Sequence, residues 1–509
     1  MSQVPEQYAT LLAKLVSRSD KTQQEEIAGF ERCAREHDED ATLSLRTLRR
    51  WMAGHVTSQP RPAQRRVAQL YWGFPMNVLL ASPNITNTDA AFLPAARSMA
   101  QHQPSPAIPA ITGNASPVII PEISPLRASD GVDVRQDRIL VAPPGRFFHG
   151  ANVPVHVLPA VDDGRILALL PDGYVNDPFL QHPGRRLVVA STGSPDKVRL
   201  FGMDTRQVRR RLAMSTCRSR LIMPHAYLID EITFGVLWAV ANLDEALLND
   251  DAILAGYRSE LGHFETLVRS AGSRDIAAEL TTVSAMWLGS EFCARHILRH
   301  LDATTNTPLF WTREQRGEEA STWLLFRHKF DYLRSLADRY PSGMTRTFCI
   351  PYEAVERSTI AERVLLLLAV ALMESFGIHV QVTPEPEYSS VDGFVLDSGR
   401  KGIVANWVGA EGIWLVDVTQ SRSTIRGYAD ACGQANDHTI AVGDNPRSRI
   451  RRFADYLSID WNTTTRRSGE LAEYGLTGLA KPRSRLLSLD GVDRACRFLG
   501  SMHTASDAA

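Results

Sequence analysis

The stretch that decides the architecture of the N-terminal region is LSLRTLRRWMAGHVTSQPRPAQRR, residues 43–66, with six arginines and no acidic residue. Ser44 is a favourable N-cap and Gly54 a favourable residue just beyond a helix end, so the sequence predicts a helix over 45–53. Its apolar face is formed by residues three or four apart: Leu48, Trp51 and Met52. Its basic face is formed at the same spacing by Arg46, Arg49 and Arg50. The pattern therefore predicts a helix that buries one side and presents guanidinium groups on the other.

The whole chain, in contrast, is almost neutral. Its 509 residues carry a formal net charge of −1, with 44% hydrophobic and 22% charged residues, which is an ordinary globular composition. Such a charge balance does not by itself attract nucleic acid or a membrane. A polyanionic partner must therefore meet a local basic patch, and residues 43–66 supply one.

Cysteine usage and hydropathy indicate the compartment. The six cysteines are far apart and form no CxxC pair, which argues against a disulfide framework or a zinc ribbon and suits a reducing environment. The N-terminus lacks the apolar segment of a signal peptide, and no apolar run approaches the roughly 20 residues that span a bilayer. We expect a soluble, cytoplasmic protein without a membrane partner.

Composition and periodicity divide the chain into four regions. Residues 1–82 are helical in pattern, and residues 83–135 are rich in Pro, Ala, Ser and Thr without a sustained period, which predicts a flexible linker. Short β-type runs and helical segments then alternate, and we divide them into regions 136–343 and 344–509, the latter with a helical tail. The predicted fold class is α+β multi-domain: a small all-α head, a Pro-rich linker and a large mixed α/β body.

Helical periodicity is strong at several places in the body. It predicts helices over 204–211, 230–248, 277–301 and 318–334, and a buried helix over 361–376. The last of these contains the longest apolar run in the chain, which ends at Glu374.

Three segments of the head resemble, in order, those of XRE-like (Cro/C1-type) helix-turn-helix regulators of actinobacteria with a long C-terminal regulatory region. TQQEEIA, residues 22–28, is similar to the first motif helix, and SLRTLRRWMAG, residues 44–54, to the recognition helix. PRPAQRRVAQLYWGFPMNVLL, residues 60–80, is similar to the following helix and its closing apolar turn. The insert GFERCAREHDEDATL, residues 29–43, lengthens the first motif helix or its turn relative to the family. The resemblance implies a helix-turn-helix transcriptional regulator that binds operator sites in double-stranded DNA.

The resemblance also implies which residues contact DNA. A recognition helix enters the major groove with its N-terminal residues at the base edges. Arg46 and Arg50 would read bases, because arginine pairs bidentately with guanine O6 and N7, and Arg49 would contact a base or a phosphate. Contacts that position the DNA backbone would come from Gln24, Thr47 and His55. Weaker phosphate contacts would come from the next helix: Arg61, Arg65 and Arg66. We expect a homodimer on paired half-sites, with a body that senses a small-molecule or protein effector.

The body lacks the common signatures of catalysis. GxGxxG, GxxxxGK[ST], HExxH and GxSxG are all missing, so we predict no enzyme activity, catalytic residue, metal or cofactor. Cys293 and His300 share a helix face with His296 but lie about 10 Å apart along the axis, too far for one ion with bonds of about 2 Å. Glu318 and Glu319 are either acid/base groups or first-turn carboxylates favoured by the helix dipole, and the second interpretation is preferred.

Two other classes of function stay open at this stage. One is a protein-interaction scaffold with a structural helical head, which predicts little loss of binding between about 50 and 200 mM salt. The other is an enzyme-like body with accessory DNA binding. It predicts a deep cavity that brings together titratable residues with strongly shifted pKa values.

Overall fold

The computed structural model describes most of the chain outside the predicted linker. It covers residues 9–80 and 136–503, apart from gaps at 20, 38, 56–59, 73–75, 194–197, 216–218, 263, 265–266, 274–277, 302–306, 398–399 and 409–411. The linker predicted over 83–135 lies outside the described residues. The chain divides into two compact units, Met1–Asn114 with Ser270–Ser273, and Ala115–Arg269 with Arg274–Ala509. We call the described residues 9–80 the head and the described residues of the second unit the body.

The described residues of the head form helices only. These are α1 (Leu11–Arg18), α2 (Gln23–Glu36), α3 (Leu45–Met52), α4 (Pro62–Trp72) and α5 (Met76–Leu79). The first three begin at the hydroxyl side chains of Thr10, Thr22 and Ser44, each of which accepts a hydrogen bond from the backbone N–H three residues later. The helix predicted over 45–53 is confirmed to within one residue.

An aromatic cluster forms the centre of the head. The ring of Phe30 contacts those of Trp51, Tyr71 and Trp72 at centroid distances between 5.4 and 6.5 Å. Gly29 permits the close approach of α2 to α4, because a Cβ at this position would lie 2.1 Å from the Tyr71 hydroxyl. These contacts hold α3 by its apolar face.

The first sheet of the body is built around one long strand. Its strands are β1 (Gln136–Ala142), β2 (Ala151–Asp162), β3 (Ile166–Leu169), β4 (Leu187–Thr192), β5 (Arg199–Asp204) and β6 (Arg220–Met223). The order is β5-β4-β2-β3-β6, and β1 pairs separately with β2. Strand β2 pairs antiparallel with β1 and parallel with β4 over its first part, and antiparallel with β3 at its end.

The second sheet of the body combines parallel and antiparallel strands. It contains β8 (Leu309–Thr312), β9 (Met344–Cys349), β10 (Ile378–Thr383), β11 (Phe394–Asp397), β12 (Lys401–Asn406) and β13 (Trp414–Thr419). The short strand β7 (Ser270–Gly272) is grouped with the first unit. In the order β10-β9-β8-β11-β12-β13, the first three strands are parallel and the remainder antiparallel. Alternate residues point to opposite faces, as Phe310 and Trp311 do in β8, where they join separate hydrophobic clusters.

The boundary expected between residues 343 and 344 does not divide the body. Strand β8 precedes this position in the chain but lies between β9 and β11, which both follow it. One continuous cluster of buried side chains extends from Leu140 to Met502. The body therefore folds as one unit, because the central strand of its second sheet comes from the region that the sequence analysis assigned to another domain.

Helices surround both sheets. In chain order they are α6 (Pro178–Gln181), α7 (Thr205–Met214), α8 (Glu231–Asn249), α9 (Asp251–Leu261), α10 (Thr282–Leu301), α11 (Gly317–Leu325), α12 (Arg327–Arg339), α13 (Tyr352–Glu356), α14 (Ile360–Ser375), α15 (Arg422–Asp437), α16 (Pro446–Tyr456), α17 (Trp461–Tyr474), α18 (Thr477–Ala480) and α19 (Asp490–Gly500). The buried helix predicted over 361–376 is confirmed as α14, which packs against β10 and four helices: α8, α11, α16 and α19. Every residue from 364 to 374 is buried.

The single helix predicted over 318–334 is wrong. Phe326 adopts an extended backbone, with φ −71° and ψ 119°, and separates α11 from α12. The break arises because the segment before α19 pairs there: Arg327 N–H donates to the Leu486 carbonyl at 3.1 Å, and Ser488 N–H donates to the Leu325 carbonyl at 2.9 Å. These hydrogen bonds satisfy a backbone N–H and a backbone carbonyl at the interruption of the helix.

The same C-terminal segment also contacts α8. The Asp244 carboxylate accepts hydrogen bonds from the backbone N–H groups of Arg483 and Ser484. The shortest N···O distance is 2.9 Å for each of them. The Arg185 guanidinium donates to the same carboxylate at 2.6 Å. The described residues form a mixed α/β structure with two sheets. Among the described residues, no helix combines the length and apolar character needed to cross a bilayer.

Candidate nucleic-acid interface

Helix α3 is fixed at both ends. At its start, Ser44 Oγ accepts the Thr47 N–H at 3.2 Å. At its end, Gly54 has φ +71°, the left-handed conformation that favours glycine. The Gly54 N–H donates to the Trp51 carbonyl at 3.1 Å and the His55 N–H to the Arg50 carbonyl at 3.0 Å. This pair of bonds is the Schellman arrangement, which satisfies the last carbonyls of a helix.

The two faces of α3 differ as the sequence predicts. Leu48 and Trp51 are 0% and 1% exposed, whereas the arginines on the other side are all exposed: Arg46, Arg49 and Arg50. We call these three residues the basic face. The guanidinium groups of Arg46 and Arg50 form no hydrogen bond or ion pair with another described residue, so both are free to contact a partner.

Arg49 differs from Arg46 and Arg50 because its guanidinium group is hydrogen-bonded to another helix of the head. Its Nε donates to the side-chain oxygen of Gln23 at 3.0 Å, which connects the basic face to the start of α2. Gln24, the predicted backbone contact, is the next residue and is exposed. Gln24 therefore lies one residue from the contact between α2 and the basic face.

The remaining predicted backbone contacts lie at the two ends of α3. Thr47 is partly buried in the first turn, and its hydroxyl is hydrogen-bonded to that of Ser44 at 2.9 Å. His55 is exposed immediately after the left-handed Gly54. Both positions border the basic face. To contact a phosphate, the Thr47 hydroxyl would have to form that hydrogen bond in addition to its bond with the Ser44 hydroxyl.

The second arginine group is partly neutralised. Arg61 and Arg65 are exposed, whereas Arg66 donates to both carboxylate oxygens of Glu39 at 2.5 and 2.7 Å. These hydrogen bonds hold the pKa of the Glu39 carboxyl below its ordinary value. This ion pair could not be predicted from residues 43–66, because they contain no acidic residue and Glu39 lies in the insert before α3. Arg66 is therefore a weaker phosphate-contact candidate than Arg61.

The predicted insert, residues 29–43, lies partly in α2 and partly in the connection after it. Its first part continues α2 to Glu36, and residues 37–44 then link α2 to α3. A helix-turn-helix has a connection of about three or four residues, so this link is longer than that of the motif. Glu39 in the link binds Arg66 of α4, which places the connection beside α4.

In the body, the carboxylates of Glu318 and Glu319 are buried and bound by backbone N–H groups. Glu319 accepts from the N–H groups of Gln315 and Arg316 at 2.6 and 3.2 Å, at the start of its own helix. Glu318 instead accepts from the N–H groups of Phe147 and Phe148, at 2.9 and 3.4 Å. Burial raises the pKa of Glu319 to about 7. The preferred first-turn interpretation describes Glu319, but the long-range role of Glu318 was not foreseen.

Helix α10 carries the cysteine and two histidines that the sequence places on one face. Cys293 and His296 are buried, and the ring centroids of His296 and His300 lie 4.5 Å apart. Within the residues that the structure describes, no group of three or more His, Cys, Asp or Glu side chains is arranged to hold a metal ion. Burial lowers the pKa of His296 to about 3, so its ring is neutral at physiological pH.

A buried polar cluster near α10 was missed by the sequence analysis. Lys329 Nζ donates to Glu314 at 3.1 Å and lies about 4 Å from the ring centroids of Trp323 and Trp407. Nearby, Ser290 Oγ and His328 Nε2 are 2.6 Å apart. A hydroxyl and an imidazole at this distance resemble a nucleophile and its base. Ser290 is buried and His328 is partly buried, however, and the adjoining cavity of about 50 Å³ has room only for water. We interpret the cluster as structural.

Comparison of the chain with family models, with curated proteins and with solved structures finds no match.

Proposed function

We propose that the protein is a sequence-specific transcriptional regulator whose head binds double-stranded DNA through α3. The observation that carries this proposal is the basic face. It stands on a helix whose two ends are fixed and whose opposite side is buried, and it presents Arg46 and Arg50 without an ionic partner among the described residues. A reading element needs this rigidity, because a base-specific contact loses its geometry on a mobile support.

The spacing of the two arginines suits base reading. Residues four apart on a helix are separated by about 6 Å along its axis, while successive base pairs are about 3.4 Å apart. Arg46 and Arg50 can therefore reach base edges roughly two steps apart, and each guanidinium can pair bidentately with a guanine. Arg49, which Gln23 braces, contributes a base or phosphate contact.

The surrounding residues support a positioning role. We assign backbone contacts to Gln24, Thr47 and His55, and phosphate contacts to Arg61, with weaker ones from Arg65 and Arg66. The similarity of the head to XRE-like helix-turn-helix regulators supports the same assignment, although the link of residues 37–44 is longer than the turn of about three or four residues in that motif. We further propose that the protein acts in the cytoplasm as a homodimer on paired half-sites, with dimerisation and signal sensing in the body.

The test is selection of random double-stranded DNA by the purified full-length protein at physiological salt. We expect an enriched motif containing guanines at the positions that the basic face reads. A variant with Arg46→Ala and Arg50→Ala together is expected to lose the enrichment. Arg35→Ala is the matched control, because Arg35 is exposed at the opposite end of α2 from Gln24.

Two results would overturn the proposal. The full-length protein enriching no motif would contradict DNA reading. Binding that changes little between about 50 and 200 mM salt would contradict phosphate contacts, because counterion release is then absent. That second outcome would favour a protein-interaction scaffold.

A further inference from the structure

The body contains a cavity of about 420 Å³ at the N-terminal ends of three helices. Its walls come from the first turns of α8, α11 and α14 and from residues 143–146, and we call it the helix-end cavity. Its volume falls within the roughly 300–1,000 Å³ that is usual for small-molecule sites. All of its lining residues belong to the body.

Two glycines bring the three helix ends together. A Cβ at Gly317 would lie 2.4 Å from the Glu362 Cα, so the start of α11 can meet the start of α14 only with glycine there. A Cβ at Gly235 would lie 3.0 Å from the Ala361 carbonyl oxygen, which is tight for any larger residue in α8. The cavity is therefore built by specific close contacts rather than left by loose packing.

One side of the cavity is apolar. It is lined by Phe234 and Trp238 of α8, by Ile360 of α14 and by Pro143 and Pro144. The Trp238 ring is fixed, because its Nε1 donates to the Pro143 carbonyl at 2.7 Å and its ring contacts Phe148 at a centroid distance of 4.9 Å. A rigid aromatic wall of this kind favours a planar or aliphatic ligand body.

Three arginines also line the cavity: Arg146, Arg316 and Arg357. Arg146 is 3.3 Å from the Glu319 carboxylate. The guanidinium groups of Arg316 and Arg357 form no ion pair with a described residue, and Arg357 is exposed at the cavity rim. Two cationic groups thus face the cavity without a bound counterion from the body.

Four carboxylates also line the cavity, and three of them are already engaged. Asp230 binds Arg467 Nε at 2.5 Å and caps α8. Glu318 accepts the two N–H groups from residues 147 and 148, and Glu362 accepts the N–H and hydroxyl of Thr359 at 2.8 and 3.2 Å. Glu231 has no such partner among the described residues. Only the charge of Asp230 is compensated by an arginine, because N–H and hydroxyl donors orient Glu318 and Glu362 without cancelling their charge. The cavity therefore offers an anion two local cationic groups, Arg316 and Arg357, rather than a positively charged lining, and the helix N-termini add partial positive charge.

We propose that the helix-end cavity binds a small organic anion, with its aromatic or aliphatic body against Trp238 and Phe234 and its anionic group at Arg316 and Arg357. A carboxylate, sulfonate or phosphate ester has the required chemistry, because arginine binds such groups in a bidentate manner. The proposal does not depend on DNA binding by the head.

The test uses two fluorescent probes that differ in one group: anilinonaphthalene sulfonate, and phenylnaphthylamine, which has the same rings without the sulfonate. With the full-length protein, we expect one saturable site for the sulfonate and binding of the neutral probe that is weaker by about tenfold or more. Equal affinity for the two probes would overturn the anion assignment.

Three variants locate the site. Arg316→Gln and Arg357→Gln are each expected to weaken the sulfonate probe about tenfold and to leave the neutral probe unchanged. Ile360→Trp fills the cavity and is expected to abolish binding of both probes. Arg426→Gln, at an exposed arginine of α15 remote from the cavity lining, is the control and should change neither. Sulfonate binding that survives Ile360→Trp, or that is unaffected by both arginine variants, would overturn the proposal. Because Arg357 is exposed, loss of folding does not confuse its result.

Discussion

Arginines in the head and in the body are placed in opposite ways. On α3, Arg46 and Arg50 are exposed and have no ionic partner among the described residues, whereas Arg449 of α16 is buried and donates to both oxygens of Glu374 at 2.9 and 2.6 Å. Arg467 of α17 is likewise buried, beside Asp230. The chain thus uses the same side chain for two purposes. A buried arginine fixes the fold through its partner, and an exposed arginine without a partner keeps its charge for another molecule.

The difference has an energetic basis. A charge taken from water must be compensated by its partner, so removal of one member of a buried pair leaves a costly uncompensated group. An exposed arginine remains solvated, and its substitution changes stability little. Substitutions in the two regions should therefore separate stability from binding.

The largest effect is expected at the buried pair. Arg449→Met preserves most of the side-chain volume but leaves the Glu374 carboxylate buried with only the Val380 N–H, which donates to it at 3.0 Å. We expect a loss of about 3–5 kcal/mol in the free energy of unfolding, measured by urea denaturation. Arg451→Met on the same helix is the control, because Arg451 is exposed. Equal stability of the two variants would remove the distinction between buried and exposed arginines.

The next effect is expected at the basic face. Arg46→Ala or Arg50→Ala should lower affinity for the selected DNA motif by about 1–3 kcal/mol, with relaxed preference at one base position. The melting temperature should stay that of the unaltered protein, because neither guanidinium contacts another described residue. Fluorescence anisotropy with motif variants and thermal denaturation measure the two quantities. A drop in stability without a change in base preference would contradict the comparison.

A pH-dependent effect is expected in the body. The pKa of His296 is about 3 in the folded chain, against 6.5 for an ordinary histidine, so between these values the unfolded chain binds a proton that the folded chain does not. The contribution of the neutral His296 ring to the free energy of unfolding is complete above pH 6.5. It decreases by about 1.4 kcal/mol for each pH unit below that value. The stability difference between the unaltered protein and His296→Asn should therefore shift by about 2 kcal/mol between pH 6.5 and 5. Urea denaturation at several pH values measures it, and a constant difference would contradict burial of a neutral ring.

The smallest effect is expected at the ion pair of the head. Glu39→Gln removes the partner of Arg66 and frees its guanidinium for a phosphate, so DNA affinity should rise about two- to fivefold. The slope of log affinity against log salt should steepen by about 1. Asp40→Asn makes the same change of charge at an exposed neighbouring residue. If both variants raise affinity equally, the pair with Arg66 has no specific role and only net charge matters.

Local features were predicted well from the sequence. The cap at Ser44, the left-handed Gly54 and the spacing of Leu48 and Trp51 are local properties of a few adjacent residues, and they defined α3 to within one residue. The buried helix α14 was equally clear, because a continuous apolar run can be satisfied only in a core.

Features that depend on distant residues were not predicted. The link from Glu39 to Arg66 spans 27 positions and that from Glu374 to Arg449 spans 75, so no local periodicity reports either. The break at Phe326 has the same origin, because its cause lies beyond residue 480. The helix-end cavity was missed because its charged residues come from four separate segments, although Asp230, Glu318 and Thr359 all stand where helices begin.

The C-terminal segment has a consequence for how the chain is made. During synthesis, the Asp244 carboxylate can bind the N–H groups of Arg483 and Ser484 only after the ribosome has added these residues, which follow it by 239 and 240 positions. At translation rates of about 5–20 residues per second, that interval is on the order of 10–50 seconds. During it Asp244 lacks these two backbone donors, and the break at Phe326 likewise lacks its partners Leu486 and Ser488 until they are made. We expect nascent body chains to remain protease-sensitive and to need chaperones until the last helix has left the ribosome.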